Sequence, residues 1–284
     1  MRRNYVLAFI LLTACMQFQL PEKDMKVLLN NHKGRLFSDT VSVDNQSIHL
    51  VYTANAHEAL IVFIHGSPGS WNDFRHFLLQ DSLVEKYDMV SVDRPGFGYS
   101  DYGAPVPSIG QQSYLIKHAL DQFNHRIKIF VGHSLGGPVI AKMAMDYQGL
   151  AQALVFLAPS VDPDMEEYEW YRSWIKTWLG DLITPTDFWV SNEEIVPLKE
   201  ELEEMISDWK KVYVPTVVIH GTNDHFVPVE NADFIKETMK DSLVRIKYLQ
   251  GVDHFIPWSH PAETVRAIDS LLMLFRVIMI YNTD

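Results

Sequence analysis

Cysteine is almost missing: Cys15 is the only one in 284 residues. A single thiol cannot form a disulfide within the chain or a multi-thiolate metal site. Glycine and proline are few, 14 of each, which excludes collagen-like and low-complexity chains. Basic residues are outnumbered, 24 Lys and Arg against 36 Asp and Glu, for a net charge of −12. An acidic surface repels phosphate backbones, so nucleic acid is not an expected partner. No Gly-Lys-Ser/Thr phosphate turn occurs, Gly96-Phe97-Gly98 lacks a third glycine, and no His-Glu-x-x-His is found. No cofactor and no metal are therefore expected. What is present is 47% hydrophobic residues, enough for one large domain or two small ones.

The apolar residues fall in short unbroken runs at 59–64, 89–92, 127–131, 153–157 and 214–219. Runs of this length suit strands buried on both faces of a parallel sheet. Strand-like stretches at 35–43 and 47–53 precede them, and 243–249 follows. Helical stretches lie between, near 72–80, 108–123, 135–147, 229–239 and 261–277. Alternation of this kind predicts an α/β fold, with helices on both faces of a mostly parallel sheet. Chemistry in such sheets gathers at the carboxyl ends of the strands.

One of those ends reads Gly132-His133-Ser134-Leu135-Gly136-Gly137. A Gly-x-Ser-x-Gly match arises by chance on the order of 0.1 times in a chain this long; its place between a buried strand and a helix gives it meaning. A serine on this sharp turn is a nucleophile held in a strained conformation, and small residues two before and two after relieve the crowding. Serine needs a base to remove its proton. His254 follows the strand-like stretch 243–249 and precedes the last helix. Asp224, in Gly221-Thr222-Asn223-Asp224, lies between the two in sequence and would orient the imidazole. Asp162 and Asp164 are the rival acids. The oxyanion needs two donors: the Leu135 N–H, and the Ser67 N–H of the loop His65-Gly66-Ser67-Pro68-Gly69.

His65–Gly69, Asp93-Arg94-Pro95-Gly96-Phe97-Gly98-Tyr99-Ser100, Gly132–Gly137, Gly221–Asp224 and His254 occur in that order. Together they resemble the α/β-hydrolase superfamily from about residue 30 onward. The resemblance implies the α/β-hydrolase fold, Ser134 as nucleophile, Asp224 as acid, His254 as base, and Ser67 with Leu135 as oxyanion hole. Epoxide hydrolases and haloalkane dehalogenases place Asp at the nucleophile position, where this chain has Ser134.

The stretch 159–212 breaks the rhythm and corresponds to a helical cap over a core of 31–158 and 213–284. Trp170, Trp174 and Trp178 fall at i, i+4 and i+8, as on one helical face, and Trp189 adds a fourth ring. They are expected either to pack the cap on the core or to line an apolar acyl pocket. Leu198, Leu202, Met205, Ile206 and Trp209 recur at helical spacing, with Glu200, Glu201, Glu203 and Glu204 as a solvated face.

At the amino terminus, Met1-Arg2-Arg3 and the apolar run 6–12 read as a secretory signal. Leu12-Thr13-Ala14-Cys15 resembles the bacterial lipobox. That implies a signal peptide at 1–14, a lipid on Cys15 and a polar tether over 15–30. Neutral Met16 points to the outer membrane. The expected protein is a lipid-anchored serine hydrolase of the bacterial cell envelope, acting on a carboxylic ester with an apolar part. Cleavage of a carbon–carbon or amide bond by the same triad stays open, as does a non-catalytic surface scaffold.

Overall fold

In the computed structural model of the chain the described residues are 18–166 and 169–281, with side chains to 275. Eight strands form one sheet in the order β1-β2-β4-β3-β5-β6-β7-β8. They are β1 (Phe37–Val43), β2 (Gln46–Tyr52), β3 (Ala59–Ile64), β4 (Asp88–Val92), β5 (Ile127–His133), β6 (Ala153–Leu157), β7 (Thr216–Gly221) and β8 (Val244–Leu249). Only β1–β2 and β2–β4 pair antiparallel; the other neighbours are parallel. This is the α/β-hydrolase fold.

The unbroken apolar runs are explained by what covers each face. Leu60, Val62 and Ile64 of β3, with Leu154 and Phe156 of β6, enter one core. Ile61 and Phe63, with Val155 and Leu157, enter the other. Side chains alternate across a strand, so a strand covered on both faces has no polar position to spare. The helices are α1 (Glu22–Asn31), α2 (Ile109–Ala119), α3 (Gly136–Asp146), α4 (Trp170–Ile175), α5 (Trp178–Ile183), α6 (Thr186–Ile195), α7 (Leu198–Met205), α8 (Asn231–Thr238) and α9 (Pro261–Tyr281), with single helical turns between. In α9, Ala267, Ile268, Leu271 and Leu272 are buried in the second core. No helix among the described residues is long and apolar enough to cross a membrane.

The strand order reverses between β3 and β5: the chain leaves β3 toward β4 on one side and returns to β5 on the other. Ligands in open α/β sheets bind at such a switch point. The loop 65–69 and Ser134 both stand there.

Three sequence expectations need correction. The segment read as a tether over 15–30 is docked in its described part. The Ser70 hydroxyl donates to the Phe18 carbonyl at 2.6 Å, Gln19 Nε2 to the Gly98 carbonyl at 2.8 Å, and the Tyr99 hydroxyl to the Leu20 carbonyl at 2.5 Å. Residues 22–31 then form α1, whose Met25 is buried. Its remaining residues are mostly polar, which hid the helix. Cys15 and the expected signal peptide lie outside the described residues. The tryptophan stripe, second, is not on one helix. The Thr177 hydroxyl donates to the Trp174 carbonyl at 2.7 Å and accepts from the Gly180 N–H at 3.2 Å. It thereby ends α4 and caps α5. Third, Glu201 is not simply solvated. Its Oε2 accepts from the Ile109 N–H at 2.9 Å, so it caps α2 from across the insertion.

Candidate active site

The strand β5 ends at His133, and Ser134 follows with φ of +51°. A non-glycine residue there carries strain of roughly 1–3 kcal/mol, which the surroundings must hold in place. They do so tightly. The Ser134 N–H donates to the Leu157 carbonyl at 3.0 Å and its carbonyl accepts from the Gly137 N–H at 2.8 Å. A Cβ on Gly136 would sit 2.3 Å from the Ile64 carbonyl oxygen, so only glycine lets α3 start against β3. The Ser134 hydroxyl makes no hydrogen bond among the described residues. Catalytic contacts of this kind often tighten only around a substrate.

His254 and Asp224 meet. His254 Nδ1 lies 2.7 Å from Asp224 Oδ2, and its Nε2 makes no hydrogen bond among the described residues. The other carboxylate oxygen accepts from the N–H groups of Phe226 and Val227, both at 2.9 Å. A second imidazole, His220, stands 3.3 Å from Oδ2. Burial pushes the Asp224 carboxyl up, but the hydrogen bonds from His220 and His254, the charge of His254 and the Val227 N–H outweigh it. The net shift is well below the usual carboxylate range, so Asp224 is ionised at neutral pH.

His133 is not a rival base. It packs at a tilt of 45° against His254 with ring centroids 4.7 Å apart, and its Nε2–H donates to the His254 carbonyl at 3.1 Å. Burial first, then His254 beside it, pushes its pKa down to about 3. It thus stays neutral and ties the His254 backbone to the residue before Ser134. Asp162 is occupied elsewhere, accepting from the Asp164 N–H at 2.9 Å.

The loop after β3 comes up against the serine: a Cβ on Gly66 would be 3.0 Å from Ser134 Cβ. This loop is clamped by a buried ion pair absent from the sequence reading. Arg94 and Glu194 are both buried, and Arg94 Nη1 lies 3.0 Å from Glu194 Oε1. The second nitrogen, Nη2, donates to Glu194 Oε2 at 3.0 Å and to the Gly66 carbonyl at 2.9 Å. Arg94 Nε donates to the His65 carbonyl at 3.0 Å. The Ser67 hydroxyl donates to Glu194 Oε2 at 2.9 Å, and Gln112 Nε2 to Oε1 at 2.9 Å. Burial pushes the Glu194 carboxyl up, against Arg94 and its hydrogen-bond donors. Every oxygen of this carboxylate is satisfied, which a buried charge requires. One helix of the insertion therefore grips the loop that carries Ser67. No group of His, Cys, Asp and Glu among the described residues is arranged to hold a metal ion.

The rings touching His254 are not the four tryptophans of the insertion. Phe226 and Phe255 lie 5.6 and 5.9 Å from it, and Trp258 packs 5.9 Å from Phe255 and 5.5 Å from His133. All three are partly open to solvent, Phe226 most at 60%. Trp170 and Trp178 are 71% and 75% exposed, so neither packs the insertion on the core. Trp174 is partly exposed and Trp189 half-buried. Proximity in sequence to Asp224 and His254 was the available signal for the aromatic trio.

The sequence pattern of the alpha/beta hydrolase family matches residues 61–267, and the chain belongs to that family. A 2-hydroxy-6-oxononadienedioate/2-hydroxy-6-oxononatrienedioate hydrolase of Pseudomonas sp is 22% identical over 256 residues, covering 76% of this chain and 88% of the relative. Epoxide hydrolase 1 of Caenorhabditis elegans is 23% identical over 266 residues, covering 75% and 65%. Among solved structures, a membrane phospholipase A described as a bacterial virulence factor is similar with a TM-score of 0.68 and 18% identity. That likeness covers 97% of this chain and 99% of the other, and it speaks for the fold alone.

Proposed function

We propose that the chain is a serine hydrolase of carboxylic esters, with Ser134, His254 and Asp224 as its triad. The Asp224–His254 hydrogen bond of 2.7 Å beside a serine held at positive φ carries this reading. Ser134 Oγ attacks the ester carbonyl while His254 Nε2 takes its proton. Asp224 holds the imidazole in the tautomer with Nδ1–H and stabilises its protonated form. The tetrahedral oxyanion rests on the N–H groups of Ser67 and Leu135. Collapse breaks the C–O bond, and His254 gives its proton to the leaving alcohol. Water, deprotonated by His254, then releases the acid and restores Ser134. Phe226, Phe255 and Trp258 offer an apolar wall beside His254 for one part of the ester.

The Pseudomonas relative keeps a second reading open, hydrolysis of a carbon–carbon bond by the same triad. Ser134 in place of a carboxylate disfavours epoxide opening through an alkyl-enzyme ester. The discriminating measurement is turnover on esters of graded chain length beside a peptide amide, a lactone and a 2-hydroxy-6-oxodienoate. Preference for the dienoate would replace the ester reading. The lipid on Cys15 and a place in the bacterial envelope belong to the same proposal; palmitate labelling lost in Cys15→Ser supports them, and an unlabelled wild type removes them.

A further inference from the structure

The helix α5 exposes an apolar face with nothing covering it among the described residues. Trp178 and Leu182 are 75% and 74% exposed, with Leu179 and Ile183 beside them. The only residue of α5 that is buried is Gly180, which turns toward α4. Trp170, at the start of α4, is equally open. Single exposed apolar side chains are ordinary, but a helix presenting four together marks an interaction surface. Tryptophan beside leucine and isoleucine is the composition that settles at a membrane interface. Asp181 is the only acid between 170 and 183, in a chain with net charge −12.

A second observation says which surface. The Phe18 ring packs edge-on against Phe188 of α6 at 5.9 Å, and its carbonyl is held by Ser70. Cys15 is three residues earlier, a reach of about 10 Å. The chain running from the proposed lipid anchor thus lands on the helix immediately after α5, and both would meet the same bilayer.

We infer that the α5 face, with Trp170, docks the enzyme on a lipid bilayer. The inference deepens the ester-hydrolase reading and rests on it for one point: the substrate class becomes the acyl ester of an amphiphilic lipid drawn from that bilayer. Docking itself needs no catalysis. Burial of apolar side chains in the headgroup–acyl boundary adds to whatever a lipid anchor supplies.

The test compares the full chain carrying Cys15→Ser with the same chain also carrying Leu182→Asp and Ile183→Ser. Both added substitutions are at exposed positions, so the fold should persist. Flotation with phosphatidylcholine–phosphatidylglycerol vesicles should show about a tenfold or greater loss of binding. Tryptophan quenching by vesicles of brominated phosphatidylcholine should fall in parallel. Hydrolysis of a soluble short-chain ester should stay within about twofold, while hydrolysis of phospholipid in the vesicles falls with binding. Equal binding and equal quenching in the two chains would overturn the docking proposal. So would a dimer that the two substitutions dissociate without changing vesicle binding. Binding that depends on Leu182 and Ile183 in a chain that cleaves no ester would keep the docking and remove the ester reading.

Discussion

Two Ser–His–Asp trios stand among the described residues, and they are built differently. At the outer edge of the sheet, Ser38 Oγ is 2.8 Å from His49 Nε2, and His49 Nδ1 is 2.8 Å from Asp93 Oδ2. That chain of hydrogen bonds is complete. At the carboxyl end, Asp224 and His254 are joined, but the Ser134 hydroxyl makes no hydrogen bond among the described residues. The difference lies around the serines. Ser38 sits in the extended strand β1, paired opposite Val51. Asp93 also takes the Trp71 N–H at 2.7 Å and the Tyr99 N–H at 2.9 Å, so it fastens loops. Ser134 is held at positive φ against Gly66. A hydrogen-bonded trio is therefore not a site by itself. Backbone strain at Ser134 and the rings around His254 make the distinction, and the proposed donors Ser67 and Leu135 belong to the second trio alone.

The largest effect should come from the serines. Ser134→Ala is expected to lower kcat/KM on esters by about 10³–10⁶-fold, with folding unchanged. Ser38→Ala should stay within about twofold. A fluorophosphonate probe should label the wild type and Ser38→Ala once, and Ser134→Ala not at all. Labelling that persists in Ser134→Ala would dissolve the comparison.

The acids come next, and they should fail differently. Asp224→Asn is expected to cost about 10⁴-fold in kcat through the wrong His254 tautomer, together with about 1–3 kcal/mol of stability, because an amide cannot serve the Phe226 and Val227 N–H groups and His254 at once. Asp93→Asn should leave kcat nearly intact and cost about 1–3 kcal/mol of stability, because an amide cannot satisfy the same three donors. Asp162→Asn should do neither. Urea unfolding and ester kinetics on the three variants separate the cases; loss of turnover in Asp162→Asn alone would move the acid.

How much of this was legible depends on range along the chain. The inner strands β3 and β6 were plain because two cores leave them no polar positions. Ser134 was plain because a strand, a glycine-flanked serine and a helix are contiguous. Asp224 and His254 were found only through their places at strand ends, and the structure joins them across thirty residues. Glu194 was not legible: its partners Arg94, Ser67 and Gln112 are 82 to 127 residues away. In sequence it reads as one more acid on a helix. Thr177 was equally hidden, since a cap that splits a tryptophan stripe depends on one hydroxyl. The rings at His254 were passed over for the more numerous rings of the insertion.

The clamp on the Ser67 loop gives the third prediction. Glu194→Gln leaves the buried Arg94 without a counter-charge, for which about 3–5 kcal/mol is expected. The Ser67 loop should also lose its anchor. Expected alongside is a fall in kcat with little change in KM, because the oxyanion donor acts only in the transition state. The Ser67→Ala variant keeps the backbone donor and should cost less than a factor of about ten. A Glu194→Gln protein as stable and active as wild type would show that the insertion does not position the loop.

The smallest effect concerns Asp73, which lies beside the first trio rather than the second. Its Oδ2 accepts from the Ser70 N–H at 3.3 Å. Burial pushes its pKa up to about 8, the Ser70 N–H opposes this, and the charge of Asp93 adds to the rise. Asp224 shows the opposite balance, because imidazoles rather than an acid stand next to it. The sign follows from linkage. Between about pH 4 and pH 8 the folded chain keeps a proton that the unfolded chain has released. Stability from this group is fully present below about pH 4 and is lost as pH rises through about 8, at no more than about 1.4 kcal/mol per pH unit. Asp73→Asn cannot ionise, and its amide oxygen can still accept from Ser70. Urea midpoints measured at pH 5, 7 and 8.5 should therefore fall more steeply for wild type than for Asp73→Asn, the two curves separating toward high pH. Every other titrating group is common to both proteins, so the difference isolates this carboxyl. Parallel curves would mean that Asp73 is already ionised at neutral pH and that water reaches it.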